Sequence, residues 1–369
     1  MTARPPALIF ILLLVAAPAH AEPLRLRVAT WNLQDVRAEH ADDPDHPRLQ
    51  RIAAVLQAIR PDVLLINEIQ HDAPDGRTAR RFADVFLAAP QTAGAEPLRM
   101  QVFAAPSNTG VHSGFDLDRN GVLDNLGPGR DYAGDCWGYG EFPGQYAMAL
   151  LVREGLEIDA DAVRTFRTLP WASMPDALLP AVPDTGEPWL EPEASRSFPL
   201  SSKSHWDIPV RLPGGATIHM LCSHPTPPVF DGPEDRNGKR NHDEIRFWAE
   251  YIGGGAWIVD DAGGAGGLAP AASFVIVGDL NADPLRGDSR DNPVGRWLLS
   301  HPRLAPDPAP RSDVAIQRID DVATARFGLR VDYALPSAGL RVVGAGMERE
   351  IGDASDHFPV WVDIEIDAP

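Results

Sequence analysis

The chain has 369 residues and a formal net charge of −19, because 52 acidic side chains outnumber 33 basic ones. This balance disfavours loose, charge-driven binding to nucleic acid, whose affinity comes mostly from Lys and Arg on phosphates, but it does not exclude a nucleic acid held through metal ions. The length suffices for one large domain or two, with a sizeable hydrophobic core.

Residues 1–21 are predicted to be a secretory signal peptide. Arg4 supplies the positive charge, Ala7–Ala17 is an apolar stretch, and Ala19-His20-Ala21 fits a small-x-small cleavage site. The apolar stretch is too short for a transmembrane helix, which needs about 20 residues. We therefore predict a secreted or periplasmic protein without stable membrane association, whose mature part is residues 22–369.

The mature chain contains predicted strands and helices that alternate early on, and paired strands follow. The strands are short apolar runs bounded by Gly, Pro, Asn and Asp. These runs are Leu24–Trp31, Val63–Ile69, Tyr146–Val152, Ile208–Leu212, Thr217–Ser223, Phe274–Leu280, Val331–Leu335, Leu340–Val343 and Val360–Ile366. Apolar periodicity predicts helices at Arg48–Arg60, Thr78–Leu87 and Asn241–Ile252, the last with a capping-box spacing of Asn241 and Glu244. No segment separates two independently patterned cores, so we predict one α/β domain.

The loop GFDLDRNGVLDN, residues 114–125, places oxygen ligands at alternate positions. They are Asp116, Asp118, Asn120, the carbonyl group of Val122, and Asp124. The pattern matches an EF-hand calcium loop, but its twelfth position is Gly127 where the bidentate Glu belongs. Another ligand, such as Asp131 or Asp135, would have to close the site. A structural Ca²⁺ site is the favoured interpretation, and the alternatives are an Asx-turn without an ion and a direct catalytic role.

Six predicted strands carry a carboxylate, amide or imidazole side chain where the apolar run ends or begins. These side chains belong to Asn32, Glu68, His224, Asp279, Asn281, Asp332, Asp356 and His357. One such residue is commonly part of a turn, but six groups in one chain are hard to explain by turns. Carboxylate and amide oxygens suit a hard cation such as Mg²⁺ or Mn²⁺, and adjacent Asp and His suit proton transfer. We therefore predict phosphoryl chemistry with a metal ion and a water nucleophile.

These segments resemble the ordered motifs of the endonuclease/exonuclease/phosphatase superfamily. The motifs are RVATWNLQD, DVLLINEIQ, SHPTPP, VIVGDLNADP, RVDYALPS and SDHFPVWVDI, and they span about residues 24–367. The resemblance implies a four-layer α/β sandwich of the deoxyribonuclease I type, in which two packed mixed β-sheets are flanked by helices. It also implies a metal-dependent phosphoric ester hydrolase.

The resemblance further implies which residues hold the catalytic Mg²⁺ or Mn²⁺ ion. Glu68 corresponds to the principal metal ligand, Asn32 lies beside it, and Asp356 is near or on the metal. The family usually has Gln before this Glu, and here the residue is Asn67. We expect that departure to change neighbouring contacts without loss of the metal.

Five other residues correspond to the family's catalytic groups. His357 resembles the histidine that stabilises the phosphate in the transition state or transfers a proton, and Asp332 the carboxylate that orients it. Asp279 resembles the residue that positions or deprotonates the attacking water. Asn281 resembles a donor to a phosphate oxygen, and His224 occupies the place of a residue that contacts the phosphate or leaving group.

Two basic segments outside these motifs are further candidates for substrate contacts. Arg236, Lys239 and Arg240 could hold a substrate phosphate, or they could belong to a solvated loop before a helix. In the segment Ser195–Asp207, the side chains of Arg196, Lys203 and His205 could line the cleft or form a surface edge.

The two cysteines, Cys136 and Cys222, could form one disulfide in an oxidising compartment. The alternative is two separately buried thiols.

Taken together, the sequence predicts an exported, monomeric phosphodiesterase or nuclease. One alternative is a phosphomonoesterase acting on a small organic phosphate. The other is a catalytically inactive, calcium-stabilised binding module, against which the complete set of catalytic residues argues.

Overall fold

The computed structural model describes residues 23–123 and 127–366. The predicted signal peptide at residues 1–21 and Asp124 of the predicted calcium loop lie outside these ranges. Within them, no helix has the length and apolar character needed to cross a membrane.

The described residues form twelve strands, which are arranged in two mixed sheets. The strands are β1 (Leu24–Val36), β2 (Val63–Ile69), β3 (Met100–Phe103), β4 (Met148–Arg153), β5 (Glu157–Ile158), β6 (Arg164–Thr165), β7 (His205–Arg211), β8 (Thr217–Ser223), β9 (Ser273–Asp279), β10 (Asp332–Pro336), β11 (Arg341–Met347) and β12 (Val360–Ile366). The first sheet has the order β11-β12-β1-β2-β4-β3. The second has the order β10-β9-β8-β7-β5, and β6 also pairs with β7. Only short β3, β5 and β6 were not predicted.

Six α-helices accompany the sheets in the described part of the chain. They are α1 (Ala38–Asp42), α2 (Pro47–Ile59), α3 (Arg77–Arg81), α4 (Arg130–Gly134), α5 (Pro192–Ser197) and α6 (Arg236–Ile252), with π-helical turns at Phe82–Leu87 and Val294–Leu299 and 3₁₀ turns at Ala160–Ala162 and Trp171–Ser173. The predicted capping box of Asn241 and Glu244 is wrong, because α6 begins five residues earlier and both side chains lie inside it. Asn241 Nδ2 instead donates to the carbonyl oxygens of Thr226 and Leu280, at 2.8 and 3.0 Å.

The two sheets pack face to face because alternate residues of their strands are apolar on both sides. Val28 and Leu65 of the first sheet belong to one buried cluster with Met220 and Val275 of the second. The adjacent residue Ile276 points to the opposite face and belongs to a different cluster. The strands therefore supply two cores each, which explains their nearly continuous apolar sequences.

A helix covers the outer face of each sheet. On the first sheet, Leu49 and Leu56 of α2 pack in one cluster with Trp31. On the second sheet, Trp248 of α6 packs in a cluster with Ile276. The layers are thus helix, sheet, sheet and helix, which confirms the predicted four-layer α/β sandwich.

Candidate active site

The strand directions bring the predicted site residues to one end of the sandwich. β1 and β2 are parallel, so their carboxyl ends are adjacent and Asn32 pairs with Asn67. β12 is antiparallel to β1, so the residues before it, including His357, arrive at the same end. In the second sheet β10 is antiparallel to β9, which sets Asp332 opposite Asp279. Residues that are distant in sequence therefore share one edge.

Glu68 lies where β2 leaves the regular strand geometry. Its φ of 62° is in the left-handed region, which is uncommon for a residue with a side chain and is frequent at functional sites. One carboxylate oxygen accepts a hydrogen bond from Asn32 Nδ2 at 3.0 Å, and the other accepts from the Asp35 amide at 3.2 Å. Burial raises the pKa of Glu68, and the nearby charge of Asp356 adds to that effect, although Asn32 and His357 oppose it.

Asp279 ends β9 and is the central carboxylate of the site. Its Oδ2 accepts from Asn32 Nδ2 at 3.0 Å and lies 3.5 Å from His224 Nε2 and 3.8 Å from His357 Nε2. Burial raises its pKa to about 7; the charge of His357 opposes this rise and that of Asp332 adds to it. A carboxylate of this kind can accept a proton near neutral pH, as a general base must.

His357 is held as an imidazolium between two carboxylates. Its Nδ1 lies 3.0 Å from Asp332 Oδ2, which also accepts from Thr324 Oγ1 at 2.7 Å. Burial alone would lower the pKa of His357, but the charges of Asp332 and Asp279 and the hydrogen bond to Asp332 raise it to about 10. The indole of Trp31 donates to the His357 carbonyl at 2.9 Å and so fixes the backbone as well. The remaining nitrogen, Nε2, is directed toward Asp279.

His224 has the opposite electrostatic environment. Burial lowers its pKa well below the usual value, and the charges of Lys203 and His357 lower it further. At neutral pH His224 is therefore an uncharged imidazole beside Asp279, suited to hydrogen bonding and unsuited to charge neutralisation.

Asn281 and Asp356 also reach the site. Asn281 has a φ of 53°, its amide donates to Asp279 Oδ1 at 2.9 Å, and its Nδ2 donates to the Pro225 carbonyl at 3.0 Å. Asp356 is half-buried, and its charge raises the pKa of both Glu68 and His357. The phosphate-binding role of Asn281 and the metal-binding role of Asp356 stay predictions.

The carboxylates of Glu68 and Asp356 suit a hard divalent cation better than the group formed by Asp279, Asp332 and His357. Side-chain atoms of Asp279, Asp332 and His357 lie within 4.8 Å of one another, but His357 already occupies the space between the two carboxylates, with Nδ1 hydrogen-bonded to Asp332 at 3.0 Å and Nε2 3.8 Å from Asp279. Glu68 is a half-buried carboxylate with a raised pKa near a second carboxylate, Asp356, and a cation would relieve the repulsion between them. Asn32 orients Glu68 through its nitrogen, while its oxygen accepts from the Gln34 amide at 2.9 Å.

Lys203 belongs to the segment for which the sequence left two alternatives open, a place in the cleft or on a surface edge, and the structure places it at the site. It precedes β7 and is 6% exposed, and its Nζ lies 3.3 Å from the Pro225 carbonyl. Burial lowers its pKa, and the charges of Glu244, Glu68 and Asp279 oppose that shift. Its ammonium group therefore lies near Glu244 and near two of the site carboxylates, Glu68 and Asp279. The available signal was its rarity, because the chain has only one other lysine, Lys239.

We expect Lys203→Met to raise the KM for a phosphodiester substrate, and to lower kcat/KM about 30-fold, because a hydrogen bond to a charged group is lost. Steady-state kinetics will measure this effect. Lys239→Met is the matched control, because Lys239 lies on α6 and its ammonium group donates to the Glu234 carbonyl at 2.8 Å and not to a group of the site. Equal KM values for the two variants would contradict a phosphate contact at Lys203.

The predicted phosphate-binding role of the basic segment is wrong for Arg240. This side chain is 5% exposed, and its guanidinium donates to four carbonyl oxygens, those of Leu200, Trp137, Pro199 and Ser201. Arg236 similarly donates to the Leu117 carbonyl at 2.7 Å, and Lys239 to that of Glu234. The sequence could not show this for Arg236 and Arg240, because they bind loops that come from other parts of the chain.

The predicted disulfide is also absent, and the alternative of two buried thiols is what the structure shows. Cys222 lies in β8 among the side chains between the sheets. Cys136 follows α4, and its Sγ donates to the Tyr132 carbonyl at 3.3 Å. Burial raises the pKa of both thiols.

Comparisons with known proteins identify the family and the fold of the chain. A family model described as the Endonuclease/Exonuclease/phosphatase family matches residues 29–357. No curated protein matches the chain by sequence. Among solved structures, an endonuclease/exonuclease/phosphatase from Beutenbergia cavernae DSM 12333 is 19% identical, with a TM-score of 0.52 over 94% of this chain and 72% of that one. Truncated Caenorhabditis elegans TDP2 is 14% identical, with a TM-score of 0.46 over 93% of this chain and 98% of that one.

Proposed function

Because the chain belongs to the endonuclease/exonuclease/phosphatase family, whose members are metal-dependent phosphoric ester hydrolases, we propose that it is an exported phosphodiesterase or nuclease. The observation that carries the proposal is the pairing of Asp279, a buried carboxylate with a raised pKa, with the imidazolium of His357, 3.8 Å away. One group can accept a proton from water and the other can donate to a phosphoryl oxygen.

The protein side chains divide the reaction between them. Asp279 Oδ2 holds the attacking water and takes its proton, and Asn32 and the Asn281 amide keep that carboxylate in place. His357 Nε2 donates to a phosphoryl oxygen and stabilises the charge that develops there, while Asp332 maintains its tautomer. A divalent ion held by Glu68 and Asp356, with Asn32 beside it, would supply Lewis-acid polarisation of the phosphoryl group.

The charge of the site supports a diester substrate. Four carboxylates, those of Glu68, Asp279, Asp332 and Asp356, surround two cationic groups, His357 and Lys203. One divalent cation would offset two of these negative charges, so little positive charge remains and a monoanionic diester is favoured over a dianionic monoester. Export is proposed from the signal-peptide features of residues 1–21, and a single catalytic domain from the match over residues 29–357. We also propose that the protein is a monomer.

The test is hydrolysis of bis(p-nitrophenyl) phosphate and p-nitrophenyl phosphate by metal-stripped protein, with and without Mg²⁺ or Mn²⁺. We expect diester hydrolysis that depends on the added ion and falls about 10²-fold or more in Glu68→Gln, because this change removes a ligand charge. Glu157→Gln is the control, since Glu157 pairs with Arg211 at 2.8 Å at the opposite end of the second sheet.

Three results would contradict the proposal. Faster turnover of the monoester would favour a phosphomonoesterase acting on a small organic phosphate. Undiminished activity after metal removal would argue against the metal-dependent mechanism. Equal inactivity of the wild type and Glu68→Gln with every ion, also against DNA and RNA, would favour the inactive binding module.

A further inference from the structure

The acidic loop of residues 114–123 lies outside the candidate active site and has a structure of its own. Asp116 Oδ1 and Asp118 Oδ1 both accept from the Asn120 amide at 3.1 Å, and Asp116 Oδ2 accepts from the Gly121 amide at 3.0 Å. The Asn120 side-chain oxygen accepts from the Val122 amide at 2.6 Å. These bonds alone describe an acidic turn and do not require an ion.

A buried residue from outside the loop supplies the independent observation. Asp135, which follows α4, is 0% exposed, and carboxylate oxygens of Asp116, Asp118 and Asp135 lie within 4.8 Å of one another. Asp135 Oδ1 accepts from the Leu117 amide at 2.7 Å, but Oδ2 has no hydrogen-bond partner among the described residues. A buried carboxylate oxygen without a hydrogen-bond partner destabilises the folded protein. Because two other carboxylates lie close to it, the partner that fits this position electrostatically is a cation.

We propose that Asp116, Asp118 and Asp135 hold a structural Ca²⁺ ion, with Asp135 as the ligand that closes the loop. Three carboxylates offer hard oxygen ligands, and Ca²⁺ accepts the irregular, flexible arrangement that Mg²⁺ does not. Gly134 leaves room for the Asp118 carboxylate, because a Cβ at this position would collide with Asp118 Oδ2. Burial raises the pKa of Asp135, and the charges of Asp118 and Asp116 raise it further, so the three carboxylates repel one another without a cation.

The site is preorganised by the rest of the fold. The Leu117 carbonyl, in the middle of the loop, accepts from Arg236 at 2.7 Å and from Trp189 Nε1 at 3.1 Å. The backbone after Asp135 continues to Trp137, whose carbonyl accepts from Arg240 at 2.7 Å. Calcium would therefore connect the long segment between β3 and β4 to α6 and contribute to stability, and it would take no part in the reaction.

The experiment is thermal unfolding of chelator-treated protein in the Glu68→Gln background, which weakens ion binding at the catalytic site and makes the two sites distinguishable. We expect 10 mM Ca²⁺ to raise Tm by about 4 °C, as for a weak extracellular site, and Mg²⁺ to raise it less. Adding Asp135→Asn should abolish the calcium shift. Asp131→Asn is the matched control, because Asp131 is exposed in α4 and should leave the shift intact.

The calcium-free Tm separates an ion ligand from a purely structural residue. Asp135→Asn keeps an oxygen for the Leu117 amide and removes one of three repelling charges, so we expect its calcium-free Tm to equal or exceed that of its parent. The proposal is overturned if the parent shows no calcium shift, or if Asp135→Asn retains it. If Asp135→Asn lowers the calcium-free Tm but still shows the rise in Tm with Ca²⁺, Asp135 has a structural role only. None of these outcomes depends on catalytic activity.

Discussion

The variant His357→Ala is expected to lose about 10³-fold of kcat on a phosphodiester, with a smaller change in KM. The loss follows from the environment of the imidazole. Asp332 and Asp279 raise its pKa to about 10, so the wild-type site holds a positive charge where negative charge develops on the phosphate. Alanine removes both the charge and the donor. Measurement of kcat and KM on bis(p-nitrophenyl) phosphate at neutral pH will check this prediction.

A second histidine-aspartate pair on the same sheet provides the control. His219 Nδ1 lies 2.7 Å from Asp207 Oδ1, on β8 and β7, at a distance from the strand ends that carry the site. His219→Ala also removes a histidine-aspartate pair, but it should leave kcat within about twofold of the wild type, because the pair lies away from the strand ends that carry the site. A comparable kcat loss in both variants would show a general structural effect and not a catalytic one.

Asp332 is expected to act through His357, and a double-mutant cycle can test that. Asp332→Asn should lower kcat about 10²-fold, because the imidazole loses the partner that sets its charge and tautomer. In the His357→Ala background the same change should have little further effect. Losses that multiply would mean that Asp332 contacts the reacting groups independently.

The positions of these residues could be predicted from sequence because they follow from strand ends. Asn32, Asp279 and Asp332 each occur where an apolar run stops or starts, and the resemblance to a known family implied the four-layer sandwich in which these strands pack. The period-two packing on both faces of β2 and β9 also appears in the sequence as nearly continuous apolar runs. Segments that have such a pattern were located correctly, with errors of a few residues at their ends.

Residues whose role depends on contacts between loops could not be predicted. Lys203 and Arg240 are both basic residues in polar segments, yet the first lies among the site carboxylates and the second binds four carbonyl groups. Nothing local distinguishes them, because burial of a charged side chain is decided by what the rest of the fold places around it. The same reason applies to Cys136 and Cys222, whose separation depends on a long connection without periodicity.

Asn67 shows how a departure from the family pattern is accommodated. Its Oδ1 accepts from Thr30 Oγ1 and from the Asp279 amide, both at 3.2 Å, and its Nδ2 is 3.4 Å from the Ser223 carbonyl. The side chain therefore joins the first sheet to the ends of β8 and β9. Catalytic geometry depends on this junction, since Asn32 comes from one sheet and Asp279 from the other.

Asp279→Asn is expected to lower kcat by about 10⁴-fold, the upper range for loss of a general base, while making the metal-free protein at least as stable. The two effects have one cause. Burial raises the pKa of Asp279 to about 7, so its charged form, which the reaction needs, is disfavoured in the folded protein. The ordinary value for an aspartate is about 3.9. Ionised Asp279 therefore destabilises the folded protein. This destabilisation is absent below the pKa that Asp279 has in the unfolded chain, grows as the pH rises toward about 7, and stays constant above that pH.

Urea unfolding in the presence of a chelator, at pH 8 and at pH 4, will separate these effects, and Asp283→Asn provides the contrast. Asp283 is also buried, but its oxygens accept from the amides of Leu285, Arg286 and Arg330 at 2.8 to 3.0 Å. We expect Asp283→Asn to lower the free energy of unfolding by about 1–2 kcal/mol with kcat nearly unchanged. At pH 8 the Asp279 variant should gain stability that it lacks at pH 4. If it is instead destabilised at pH 8 to the same extent as Asp283→Asn, Asp279 is a structural acceptor, and the water-activating role must be assigned to another group.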